Sequence, residues 1–212
     1  MTPAASFQRF AGFCAVMAGA SGFAYAVSFL VISQTDARMG GMLSGFFLAA
    51  GGFYTSAVWA LLYERLQPAG GGFALWMLLL GIGASLGAAV HGGYDLALAI
   101  ELPRAAATEL PSQIDPRGLL TFGVNALALM TAVGLMGSGG GWPSNLRYIG
   151  FLNAALCLVL YFGRLIIVTP TNPIIVNAAL LNGFLVNPVW WVWLGLRLRA
   201  DAEAVDSEED EE

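Results

Sequence analysis

Residues 73–100 read FALWMLLLGIGASLGAAVHGGYDLALAI, a run in which one imidazole, His91, and one carboxylate, Asp95, stand among apolar, small and aromatic residues. About 20 apolar residues suffice to cross the ~30 Å hydrocarbon layer as a helix. Without water every backbone amide must be bonded within the segment, and a run this continuous is a helix rather than a barrel strand. Five further runs have the same character, at about 9–33, 39–63, 117–138, 147–169 and 173–197. The expected fold is therefore all-α: a polytopic membrane bundle of six transmembrane helices over 1–199, followed by a disordered acidic tail at 200–212.

Composition points the same way. Hydrophobic residues make up 58% of the 212 and charged ones 11%, against roughly 25% charged in a soluble domain. Lysine is absent, so the positive charge rests on nine arginines. Eight of the fourteen acids fall in 201–212, and the remainder carries nine arginines against six acids, a balance of +3. Arg9 and Ala24-Tyr25-Ala26 imitate a signal peptide, but the apolar stretch from Phe10 to Ile32 is longer than an h-region of roughly 7–15 residues and reads as a retained span. Cys14 and Cys157 both lie in apolar runs without metal-ligand spacing and read as small buried hydrophobes.

Arginine placement sets the orientation. With both termini cytoplasmic, Arg9, Arg65, Arg147, Arg197 and Arg199 lie inside, and Arg38, Arg104 and Arg117 lie outside among Asp36, Glu101, Glu109 and Asp115. The expected location is the bacterial cytoplasmic (inner) membrane. Trp190, Trp191 and Trp193 then fall where an aromatic belt meets the cytoplasmic interface. The glycine triplet 70–72 and the stretch 137–141 read as connectors. The one long connection, 101–116, reads as an ordered loop outside the membrane.

Away from the ends of the runs only His91, Asp95 and Arg164 are charged or imidazole groups, and hydrocarbon penalises such groups unless they are paired or wet. In the third run Gly83, Gly87, His91 and Asp95 follow at four-residue steps, a small-residue stripe that ends in two polar groups, with Tyr94 beside them. In the fifth run Asn153, Cys157, Tyr161 and Arg164 share an arc of roughly 80°. Thr121 and Asn125 add an i, i+4 pair. Asn177, Asn182 and Asn187 follow at five-residue steps, which spread them around an α-helix. Pro188 should disturb that helix.

With run centres near 86, 158 and 185, a rise of ~1.5 Å per residue puts His91 ~8 Å, Arg164 ~9 Å, Asn177 ~12 Å and Asp95 ~14 Å outward of the midplane. One polar cluster is expected there: His91, Tyr94, Asp95, Asn125, Tyr161, Arg164 and Asn177, in which an Asp95–Arg164 ion pair is geometrically reasonable but not fixed by the sequence, with the 101–116 loop above it.

That cluster reads either as a staple between helices or as a pocket for a ligand or lipid headgroup. No paired nucleophile and base, no metal set and no phosphate loop is present, which argues against an enzyme. The cofactor is unknown. Haem through His91 is an option, with Met130, Met136, water or nothing as the second axial ligand. Retinal is excluded for want of a lysine.

The opening of the first and fifth runs, Arg9-Phe10-Ala11-Gly12 and Arg147-Tyr148-Ile149-Gly150, and the final Pro188-Val189-Trp190-Trp191-Val192-Trp193-Leu194-Gly195-Leu196-Arg197 resemble bacterial six-helix integral membrane proteins of a domain-of-unknown-function type. The resemblance implies a multi-pass membrane protein and no particular activity. The reading favoured is a non-enzymatic ligand- or lipid-binding module, or an accessory subunit of a membrane complex. The alternative is a small, proton-coupled secondary transporter using His91, Asp95 and Arg164. The expected partners are the lipid bilayer and, through small-residue helix faces, other membrane subunits or a second copy; nucleic acid is not among them.

Overall fold

The computed structural model describes residues 5–101, 115–167, 169 and 171–209, without side chains beyond 204. Every long element is a helix: α1 (Ala5–Leu30), α2 (Ala37–Glu101), α3 (Pro116–Gly139), α4 (Ser144–Ile166) and α5, which runs from Pro173 to Glu209. Two of them contain π-helical turns, Leu119–Val124 in α3 and Asn182–Val186 in α5. Among the described residues five helices are long and apolar enough to cross a membrane, where the sequence has six runs. The difference lies in α2, which has 65 residues and holds the second and third runs together. It is broken at Gly70 alone, whose φ of 170° and ψ of 84° are non-helical.

The two arms of α2, 37–69 and 71–101, lie side by side and antiparallel. A Cβ on Gly45 would stand 2.6 Å from the Gly92 carbonyl oxygen, and one on Gly52 would stand 2.5 Å from that of Ser85. Nearer the bend, Gly81 lies under the Trp59 ring. The later elements continue the same up-and-down order. Gly87 of α2 meets Leu120 of α3, Gly137 of α3 meets the Arg147 guanidinium of α4, and Gly163 of α4 meets Ile175 of α5. The ring closes on α1: Gly12 and Gly19 lie against Gly195 and Pro188 of α5. A hydrogen bond from Gln8 Nε2 to the Leu198 carbonyl oxygen (3.0 Å) ties the start of α1 to the far end of α5.

Small residues are therefore inside and many large ones outside. Phe53, Phe73, Trp76, Val90 and Ile166 are exposed, while Ala11, Ala15, Ala74, Ala126 and Ala132 are fully buried. Lipid is as apolar as leucine, so helices gain by close backbone approach instead of by hiding large side chains.

Two further expectations change. Trp190 and Trp191 do not face an interface; both are buried, and Trp191 packs edge-on against Trp59 with ring centroids 5.8 Å apart. The chain from 200 to Glu209 is helical where composition suggests disorder. Asp201 bonds Arg65 at 2.8 Å and Arg197 at 3.0 Å, and Ala202 is fully buried, which carries the helix on. Residues 210–212 and most of the 101–116 connection lie outside the described residues. Between α3 and α4 the chain turns at Gly140 and Gly141, with φ of 72° and 74°, where an L side chain would be strained.

The closest crossing gives a paired test. Gly92→Ala drives a methyl into the Gly45 carbonyl, whereas nothing lies within 4 Å of a Cβ on Gly93. G92A should lower the melting temperature in detergent, by the equivalent of about 1–3 kcal/mol of overpacking. G93A should leave it level or raise it slightly, since alanine is the better helix former. Equal melting of the two variants would remove the crossing from the account.

Candidate functional site

The polar residues fall into two connected groups. The first sits at one end of the bundle, where α2 ends and α3 begins. Asp115 caps α3: its carboxylate accepts from the Arg117 amide (2.7 Å) and from Arg117 Nε (2.7 Å). Pro116 at the first turn gives up an amide that has no partner there in any helix. The cap holds the Arg117 guanidinium over the Tyr94 ring, 4.0 Å from its centroid, and 3.5 Å from Asp95 Oδ1. Asp95 Oδ2 lies 3.3 Å from His91 Nε2, one turn back on α2. Burial works to raise the Asp115 carboxyl, but the hydrogen bonds and charge of Arg117, with the Gly118 amide, win and hold it below the ordinary range.

His91 is the inner member of this group and is only 1% exposed. Its Nδ1 lies 3.0 Å from Thr121 Oγ1, on the π-helical turn of α3. Both ring nitrogens are thus engaged by protein groups, which leaves no nitrogen for haem iron. Asp95 takes Arg117 as its arginine, and among the described residues no bond joins it to Arg164. Arg164 instead donates to the Ile167 carbonyl oxygen at 3.4 Å, at the end of α4. The expectation of an Asp95–Arg164 pair had the right carboxylate and the wrong cation.

The second group lines a partly open cavity of about 300 Å³ in the middle of the bundle, to which all five helices contribute. Its wall is largely apolar, with Phe29, Phe47 and Phe122 prominent. The polar side chains in it are Tyr25, Thr55, Ser85, Thr121, Asn125, Cys157, Arg164, Asn182 and Asn187. Thr55 and Ser85 bond each other across the arms of α2 at 2.8 Å. Asn187 Oδ1 accepts from Trp191 Nε1 (3.0 Å) and Asn153 Nδ2 (3.2 Å). Asn182 Nδ2 donates to Cys157 Sγ at 3.5 Å, but its Oδ1 is buried with no hydrogen-bond partner. Asn182 is 6% exposed, so this oxygen is packed among protein atoms with neither a donor nor bulk solvent to bond it.

Of the seven residues expected to form one cluster, Asn125 and Arg164 line the cavity. His91, Tyr94 and Asp95 belong to the end group, which Thr121 joins to the cavity. Tyr161 packs against Gly123, and Asn177 is exposed; neither lines the cavity. Asn182 and Asn187 share the wall despite their five-residue spacing, because the π turn between them bonds the Asn187 amide to the Asn182 carbonyl, i to i+5. Pro188, with no N–H to give, is the signal in the sequence for that shift. Arg117 and Asp115 count in the sequence only toward orientation, because they stand at the boundary of a run.

Among the described residues no group of three His, Cys, Asp or Glu could hold a metal ion. No protein-family model, no curated protein and no solved structure matches the chain.

The cap has a measurable pH dependence. A carboxyl held below its ordinary value of about 3.9 stabilises the fold fully above that value, and the contribution is lost as pH falls through the lowered one. Acidification below about pH 4 should therefore lower the amide protection factors at residues 117–119, each taken relative to intrinsic exchange at that pH. Asp115→Asn should do so partly at neutral pH, at a cost of about 1 kcal/mol, the difference between a charged and a neutral hydrogen bond to Arg117. Exchange in D115N identical to the parent at both pH values would show that the cap does not hold α3.

Proposed function

We propose that the chain is a non-enzymatic, multi-pass membrane protein that binds a small, mainly apolar molecule or lipid with one hydrogen-bonding end. The observation that carries this reading is the cavity itself, about 300 Å³ and largely apolar, with the side-chain amides of Asn125, Asn182 and Asn187 among its lining residues. A few such amides in an otherwise apolar wall are what orient a ligand with one polar end. The apolar remainder of the wall suits a hydrocarbon body, and the volume stands at the lower end of the range for small-molecule sites. Two π turns supply Thr121 and Asn182 to the same cavity, and such turns recur at functional sites.

The reading includes six crossings, one for each arm of α2 and one for each other helix, with both termini in the cytoplasm of a bacterium. In its support, Arg65 and Arg197 both bond Asp201, Arg147 packs against Gly137, and Arg199 lies against Gly12, all at the end where α1 begins. Asp95, Asp115 and Arg117 lie at the other end, in keeping with an excess of arginine inside. A second reading, a small proton-coupled carrier, is favoured by one observation: side-chain contacts run from Thr121 in the cavity through His91 to Asp95.

Two experiments test these statements. Native mass spectrometry of the purified protein should show a bound amphipathic molecule that Asn182→Leu loses. The empty N182L protein should be at least as stable as the parent, by up to about 1 kcal/mol, because an orphaned acceptor has gone. Retention of the molecule by N182L would contradict the site. For topology, tags on both termini should be cleaved by protease in inside-out vesicles and protected in intact spheroplasts; opposite accessibility of the two tags would rule out an even number of crossings.

A further inference from the structure

Resting on that binding reading, we infer that His91 sets the hydrogen-bond polarity of the cavity through Thr121, so that protonating the ring makes the site select ligands that accept a hydrogen bond. The geometry defines both states. With Asp95 ionised, its Oδ2 faces His91 Nε2 at 3.3 Å, an ion-pair contact that favours the proton on Nε2. In the neutral ring Nδ1 is then the acceptor, and the Thr121 hydroxyl at 3.0 Å must donate to it. Thr121 has only lone pairs left for the cavity it lines, and there it accepts. When the ring gains a proton, Nδ1–H donates to Thr121 Oγ1, and the hydroxyl hydrogen is released toward the cavity. One proton turns an acceptor in the wall into a donor with no helix moving.

The surroundings suit this role. His91 itself is 1% exposed, but Asp95 is 28% exposed, so a proton reaches the ring through Asp95 rather than through the cavity. The titratable and charged groups around it are Asp95 and Tyr94 on α2, Arg117 and Asp115 on α3, Tyr25 on α1, which feels the charge of Asp95, and Tyr161 and Arg164 on α4. The Phe122 ring stands edge-on to the imidazole, with centroids 6.5 Å apart, and helps keep water from Nδ1.

His91 is the single histidine of the chain, so ¹⁵N-histidine labelling reports this ring alone. The test uses the full-length protein in lipid nanodiscs and 2-decanone, a ketone that can accept but not donate, ¹³C-labelled at the carbonyl. The neutral ring should be the Nε2–H tautomer. Ketone affinity should rise about tenfold or more on acidification, in step with the passage of the ring's ¹⁵N signals from the neutral to the doubly protonated form. The carbonyl signal should shift as it accepts the new bond. Thr121→Ser, which keeps the hydroxyl, should preserve the pH response, and Thr121→Val should abolish it. An Nδ1–H tautomer, pH-independent ketone binding in the parent, or an unchanged response in T121V overturns the inference alone. A ketone that binds at no pH overturns the cavity reading, and the inference with it.

Discussion

Helix backbones in this protein touch one another, and that contact is possible only where a residue has no side chain in the way. Gly45 and Gly92 bring the two arms of α2 together, and Gly12 and Gly195 do the same for α1 and α5. In lipid the gain from such an approach is dispersion, with little hydrophobic driving force between helices. It follows that the positions of the glycines set the spacing of the ring. Small residues also leave the space of the cavity, where Gly22, Gly51, Ala88 and Gly183 stand in the wall beside Phe29, Phe47, Asn182 and Asn187.

The helical character of the chain was legible because apolar length is a coarse signal that tertiary context rarely overrides. The ends of the elements were not. Composition marks 70–72 as a connector, yet only Gly70 leaves the helix, since a reversal between two packed arms needs a single non-helical residue. Acidity marks 200–212 as solvated, but Asp201 is shared by Arg65 and Arg197, and Arg65 is 136 residues away in the chain. No local pattern encodes a partner that distant. Trp190 and Trp191 likewise look like interface anchors by position, and only the packing of Trp59 against them shows that they are core.

For the site, depth was the informative quantity and pairing was not. Counting along the helices puts His91, Asp95 and Arg164 at one level, and all three do lie toward the end opposite the termini. Yet height alone does not say which cation faces Asp95. The answer is decided by Asp115, whose cap on α3 orients Arg117 before it reaches Asp95. The asparagines of α5 show a different failure. Five residues in an α-helix end ~140° away from where they began, so Asn182 and Asn187 should diverge. The π turn takes up that rotation and returns both to the wall.

Two kinds of polar residue therefore coexist inside one apolar bundle, and the distinction bears on function. The charges at the α2–α3 end answer one another: Asp115, Arg117, Asp95 and His91 form an unbroken series of contacts, as hydrocarbon demands. The amide at Asn182 does not close its own account, and leucine there would serve packing equally well. A series of satisfied charges explains how α2 and α3 are held; it gives no reason for an orphaned acceptor. The two meet at Thr121, which both lines the cavity and bonds His91. That shared hydroxyl is what lets a charge balance at the edge of the bundle alter the chemistry at its centre.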